Sequence, residues 1–117
     1  MIASMDNTVA ALKAFSKKMG VTANNVANVN TDRYKKKNAT LQEGENGVVR
    51  VNITKDKSPG IIYQTVEGDR MVPKETSNVD LAEEFPDMLN IQNSYAANLK
   101  VLKAQDEMVG NLLNTIA

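Results

Sequence analysis

Few residues in this 117-residue chain are of the types that perform covalent chemistry, and their spacing argues against it. The nearest approaches to an acid–base pair are Glu83–Glu84 and Asp106–Glu107. Both fall in helical patterns, where adjacent carboxylates ordinarily form a solvated face. There is no histidine, which removes the commonest general base and metal ligand, and no cysteine, which removes thiolate chemistry and disulfides. No glycine-rich phosphate loop, metal-ligand cluster or nucleophile–base pair occurs. The sequence predicts no catalytic residue, no metal site, no cofactor and no small-molecule substrate. One aromatic among basic residues, "RYKKK" at 33–37, has the composition of a phosphate-contacting patch. Antiparallel pairing of the two chain ends would instead set Arg33 to Lys37 beside the acidic "DLAEEFPD" of 80–87, so nucleic acid is not an expected partner.

The other polar concentration is amide-rich. Residues 24–30 hold four asparagines, at the end of a stretch that otherwise reads as an amphipathic helix. Asparagine is a mediocre helix former because its amide competes for backbone hydrogen bonds. Asn28 lies four residues from Asn24 and three from Asn25, so these amides share a helical face. Two readings stand level: a polar helix end that turns at Asn30–Thr31, or amides bonded across packed helices to fix their register.

The elements that must position these groups follow from periodicity. Ile2, Met5, Val9, Leu12, Ser16, Met19, Ala23 and Val26 recur at steps of three and four, which predicts a helix over about 4–29 and an apolar heptad stripe along it. Asp80, with Glu83 three residues on, fits a capping box. Phe85, Met88, Gln92, Tyr95, Leu99, Leu102, Asp106, Val109, Leu113 and Ile116 then form a second stripe, predicting a helix over about 81–115 with a distortion near Pro86. Between them the period changes to two. "GVVRVNIT" and "IIYQTV" read as strands joined by the turn "KDKSPG", with a further short strand near Met71–Val72. The expected fold is mainly α: an antiparallel, coiled-coil-like pair of long terminal helices with a small β-hairpin insert. The expected divisions are 1–38, 39–76 and 77–117.

Aromatic residues make up only 4 % of the chain, so small and flexible apolar residues must supply whatever packing exists. Net charge is zero, yet residues 1–38 carry about +5 and residues 77–117 about −4, which favours pairing of the ends. No apolar run approaches the roughly 20 residues of a membrane span, so membrane insertion is not expected. "MIASMDNTVAALKAF" lacks a basic n-region and a continuous apolar h-region, and predicts no cleaved secretion signal.

Both ends of the chain resemble one family. "TANNVANVNTDRYKKK" resembles the N-terminal signature of the bacterial flagellar rod and hook proteins: A-N-N-[LIV]-A-N-x-N-T, then Pro-Gly, then an aromatic and basic residues. "SNVDLAEEFPDMLNIQNSYAANLKVLKAQDEMVGNLLNTI" resembles their C-terminal half, with N-V-D-L-A-x-E, Q-x-x-Y-x-A-N and D-E-M followed by L-L-N. The chain departs from the pattern at Asp32–Arg33, which replace Pro-Gly, at Pro86, and in its short middle.

The resemblance implies a structural subunit of the flagellar basal-body rod, nearest the short proximal rod subunits. It also implies export by the flagellar type III apparatus without a cleaved signal, residence in the periplasm-spanning rod, and polymerisation through the terminal helices. Implied partners are further copies of the chain, other rod and hook axial proteins, and the export apparatus. The assembly interface expected on this basis includes Val9, Leu12 and Met19 in the first helix. The signature adds Asn24, Asn25, Asn28, Asn30, Thr31 and Tyr34. The start of the second helix contributes Asn78, Asp80, Leu81 and Glu84, and its length contributes Tyr95, Asn98, Leu102, Met108, Val109, Leu112 and Leu113. The competing expectation is a coiled-coil adaptor or export-associated binding protein that forms a small discrete oligomer.

Overall fold

The computed structural model describes residues 1–117. Its order is helix α1 (Ile2–Ala27), strands β1 (Lys37–Glu43), β2 (Val49–Lys55), β3 (Ile62–Glu67) and β4 (Arg70–Glu75), and helix α2 (Leu81–Ile116). At 1.5 Å per residue the helices are about 39 and 54 Å long, and they lie side by side in a body of 82 × 24 × 20 Å. The radius of gyration is 21.0 Å, against about 13 Å for a compact chain of this size. The expected architecture is present, with helix limits within two residues of those read from the sequence.

α2 begins where the sequence indicates but by a different device. The Asp80 carboxylate accepts from the Ala82 amide at 2.9 Å and caps the helix. Glu83, however, reaches across to Lys36 at 2.6 Å, so its half of the expected capping box is not made. α2 runs unbroken through Pro86, whose missing N–H would have bonded Ala82; both residues are exposed, so the freed carbonyl can be hydrated.

The insert is β-structured but holds two hairpins rather than one. The strand "VRVNITK" does not pair across the "KDKSPG" turn with "IYQTVE". It pairs with "KNATLQE", so that Leu41 faces Val51 and Ala39 faces Ile53 on one side of the ribbon. Lys37, the last residue of the basic run, opens β1. β3 and β4 form the second hairpin through a two-residue loop, with Gly68 at φ +64° in its first position, the pattern of a type II′ turn. The β1–β2 ribbon packs along α1, whereas β3–β4 stands away from both helices.

The helix pair differs from expectation in which faces meet. Gln105 reaches Ser4 and Thr8, Asp87 reaches Lys18 and Thr22, and Glu84 reaches Asn25. The contact line on α1 therefore runs through 4, 8, 18, 22 and 25, and on α2 through 84, 87, 91 and 105. Each lies one residue before the apolar stripe, or about 100° around the helix. Only eight of the 117 residues are buried, and just three of these (Leu12, Ala14 and Ile91) are apolar. The pairing is thus specified mainly by hydrogen bonds and ion pairs, and no buried side-chain polar atom lacks a partner.

Candidate functional site

Where the N-terminal signature meets the start of α2, the chain builds a polar node. Asn25 is its centre and is only 1 % exposed. Its amide donates to the Lys37 carbonyl (2.8 Å) and to Glu84 Oε2 (3.2 Å). Its oxygen accepts from the Lys37 N–H (2.9 Å) and from the Tyr34 hydroxyl (3.1 Å). Both donors and both lone pairs are used, so the side chain is saturated.

Asn78 does the same work on the other edge of the same stretch. Its Oδ1 accepts from the Lys36 N–H (2.7 Å), its backbone N–H donates to the Tyr34 carbonyl (3.3 Å), and its Nδ2 reaches the Asp56 and Ser58 carbonyls. Residues 34–37 are therefore held between two amides, as a strand is held between neighbours. Lys36 leans on Glu83, and that hydrogen bond raises its pKa above 10.5 against the opposing effect of burial. Burial, helped by the Glu84 charge, raises the Tyr34 phenol. Glu84, only 6 % exposed, draws on Asn25 and the nearby Lys36 charge instead of water.

Asp32–Arg33 now has a structural reading. The Tyr34 N–H donates to the Thr31 carbonyl, closing a turn with Asp32 and Arg33 at its centre. Arg33 has φ +59°, and Asp32 is not in the left-handed region, which is the pattern of a type II turn. Those are the positions that Pro-Gly fills best, so the family's turn survives with arginine in the glycine position. The Tyr63 hydroxyl lies 3.2 Å from each Asp32 carboxylate oxygen, and the Arg33 N–H bonds the Glu75 carbonyl, so β3–β4 is tied to this turn.

The two readings of the asparagine cluster divide between residues. Asn28 bonds Asn24 O and Oδ1, and Thr31 bonds Asn28, so these form an exposed local chain at the helix end. Asn30 is exposed beside them. Asn25 alone makes contacts that fix register. Leu81, half-buried, opens α2 behind Asp80.

The remaining expected residues lie along the helix pair. In an antiparallel pair, rolling both helices by the same step turns both stripes to the same side. Three adjoining clefts of about 530, 400 and 240 Å³ run along that side. Met5, Val9, Leu12 and Met19 line them from α1, and Tyr95, Leu99 and Leu102 from α2. The stripes read from the sequence therefore flank an open groove instead of meeting. Asn98 is half-buried and bonds its own helix at the Ser94 carbonyl. Val109 is half-buried, while Met108, Leu112 and Leu113 are exposed at 50, 49 and 63 %. They belong to a tail of α2 that continues past the start of α1, since Gln105 already faces Ser4.

Lys18, Thr22, Lys36, Glu83, Asp87 and Gln105 make contacts between segments that the stripes did not mark. On α1 their signal is the polar row one residue before the apolar stripe, Ser4, Thr8, Lys18, Thr22 and Asn25.

An elongated helix pair with a polar lock at one end and an uncovered apolar groove along one side has the geometry of a structural protein. Comparisons with known proteins agree. Residues 5–35 match the family described as "Flagella basal body rod protein", and residues 74–115 match "Flagellar basal body rod FlgEFG protein C-terminal". A flagellar hook protein of Brucella suis biovar 1 (strain 1330) is 33 % identical over 90 residues, which is 77 % of this chain and 21 % of that protein. The chain thus spans about a fifth of the length of that curated relative. It belongs to the flagellar rod and hook axial protein family.

Proposed function

We propose that this chain is a non-enzymatic structural subunit of the flagellar basal-body rod, of the short proximal kind, that polymerises through its terminal helices. The observation that carries the proposal is the meeting of the two family-matched segments in one helix pair, with their apolar stripes left open as a groove. A chain with three buried apolar residues and a long open apolar groove buries that surface by association. The short insert, confined to two hairpins between α1 and α2, favours a rod subunit over a larger axial protein. Export through the flagellar apparatus without a cleaved signal, a place in the periplasm-spanning rod, and contacts with other copies and other axial proteins complete the reading. No helix of the structure is long and apolar enough to cross a membrane.

The test is electron microscopy and sedimentation of the purified chain over a concentration series, with motility of cells lacking residues 108–117 in parallel. Open-ended assemblies, or incorporation into purified basal bodies, together with lost motility, are the expected outcome. A single small oligomer at all concentrations would favour a coiled-coil adaptor instead, and unimpaired motility would overturn the rod reading.

A further inference from the structure

We infer that the occupant of the groove is the tail of α2, residues 106–116, supplied by a second copy of the chain. The inference rests on the self-assembling reading above and names the segment that performs it. The tail cannot enter its own groove, because it continues the same straight helix that forms one wall. It is nevertheless the part of the molecule most in need of cover. Leu112, Leu113 and Ile116 are 49, 63 and 82 % exposed, lie on one side of the helix at steps of three and four, and have no α1 alongside. Groove and tail are therefore two different surfaces of one chain, each lacking what the other offers.

Charge selects the same pairing. The groove is rimmed by Lys13 and Lys17 on α1 and by Lys100 and Lys103 on α2, with Asp106 as its single acid at the end where the tail leaves. The tail begins with Asp106 and Glu107 and has no lysine or arginine after them. Its one internal partner is a loose, exposed Lys103–Glu107 contact of 3.9 Å, which holds the acid weakly. The fit in length is also close. The lined stretch from Met5 to Met19 is about 21 Å long, and eleven helical residues span about 16 Å. Because the joined surfaces differ, each copy that donates its tail keeps its own groove open, and addition does not close on itself unless the rotation happens to complete a ring.

The chain has no cysteine, so single-cysteine variants report the contact directly. Val9→Cys chain (groove) is mixed with Leu113→Cys chain (tail) under mild oxidation, with Gln64→Cys on β3 as the comparison. The expected result is a dominant Val9→Cys/Leu113→Cys heterodimer within the assembled material. If assemblies form but Val9→Cys couples to Gln64→Cys or only to itself, the tail is not the occupant, and the self-assembling reading stands. If no variant associates, nor does the unmodified chain, the self-assembling reading falls and takes this inference with it. A charge exchange gives an independent reading. Lys13→Glu with Lys17→Glu should weaken association about tenfold. Adding Asp106→Lys and Glu107→Lys should restore it within about threefold, and no restoration would overturn the pairing. Lys13 and Lys17 are exposed, so circular dichroism should be unchanged in both.

Discussion

The two ends of the helix pair are built on opposite terms. At one end Asn25 uses its whole hydrogen-bonding capacity on Tyr34, Glu84 and the Lys37 backbone, Asn78 holds the Lys36 N–H, and Lys36 pairs with Glu83. At the other, the tail of α2 carries Leu112, Leu113 and Ile116 into solvent with nothing beside them. Directional polar contacts decide how the chain meets itself, and apolar surface at the other end is left uncovered. A hydrogen bond left unmade in a buried site costs more than a made one contributes, so the node tolerates little change. The tail buries little in the single chain, so changes there should leave its stability nearly untouched.

The sharpest way to break this contrast is at Asn25. Asn25→Ala strands the Lys37 N–H and carbonyl, the Tyr34 hydroxyl and the Glu84 carboxylate, and should cost about 3 kcal/mol or more in a urea unfolding curve. A loss under about 1 kcal/mol would mean that the node is not the lock. Gly60→Ala comes next. A Cβ there would collide with the Thr76 carbonyl oxygen, so about 2 kcal/mol should be lost at the root of β3–β4. Hydrogen exchange should speed up in that hairpin and stay unchanged in the helices. Arg33→Gly runs the other way, relieving a left-handed arginine, and should raise stability by about 1 kcal/mol in thermal melts.

Acid and base should also find the node and the hairpin root. The Lys35 hydrogen bond, then the Gly60 N–H, hold the Glu75 carboxyl below its ordinary 4.5, so its contribution is present above that pH and fades as pH falls through the lower folded value. Lys36 is raised above 10.5, so its contribution holds below that value and fades as pH rises through the folded one. A titration followed by circular dichroism should show the acid-side loss first in the β signal. The smallest effect belongs to the tail. Leu113→Ser should change the stability of the free chain by less than about 0.5 kcal/mol while abolishing assembly in sedimentation.

Much of this was legible in the residues. The helical periods, the Asp80 cap and the opposite charges of the two ends foretold an antiparallel pair, because each rests on local geometry or on long-range charge. The heptad that forms the contact was not. Apolar periodicity reports which face leaves water, and in an assembling subunit that face can leave water against another molecule. β1 was missed for a related reason: "KNATLQE" has weak strand preference and pairs because Val49, Val51 and Ile53 need an opposite edge. Asn25 and Asn28 could not be told apart by spacing, since only the position of Lys37 and Glu84 makes one a clasp and the other a local cap.

The antiparallel register also imposes an order on folding. Contacts between α1 and α2 join residues 59 apart at Asn25–Glu84, then 65 and 69 apart at Asp87, and 97 and 101 apart at Gln105. The shortest loop closes with the least entropy loss, and each later contact then extends a loop already shut. The pair should close like a zipper that starts beside the hairpins and runs outward to the termini. A chain synthesised from its N-terminus cannot begin that motion until Glu84 has followed Asn25, so α1 must wait as a marginal, unpartnered helix until more than two-thirds of the chain is made.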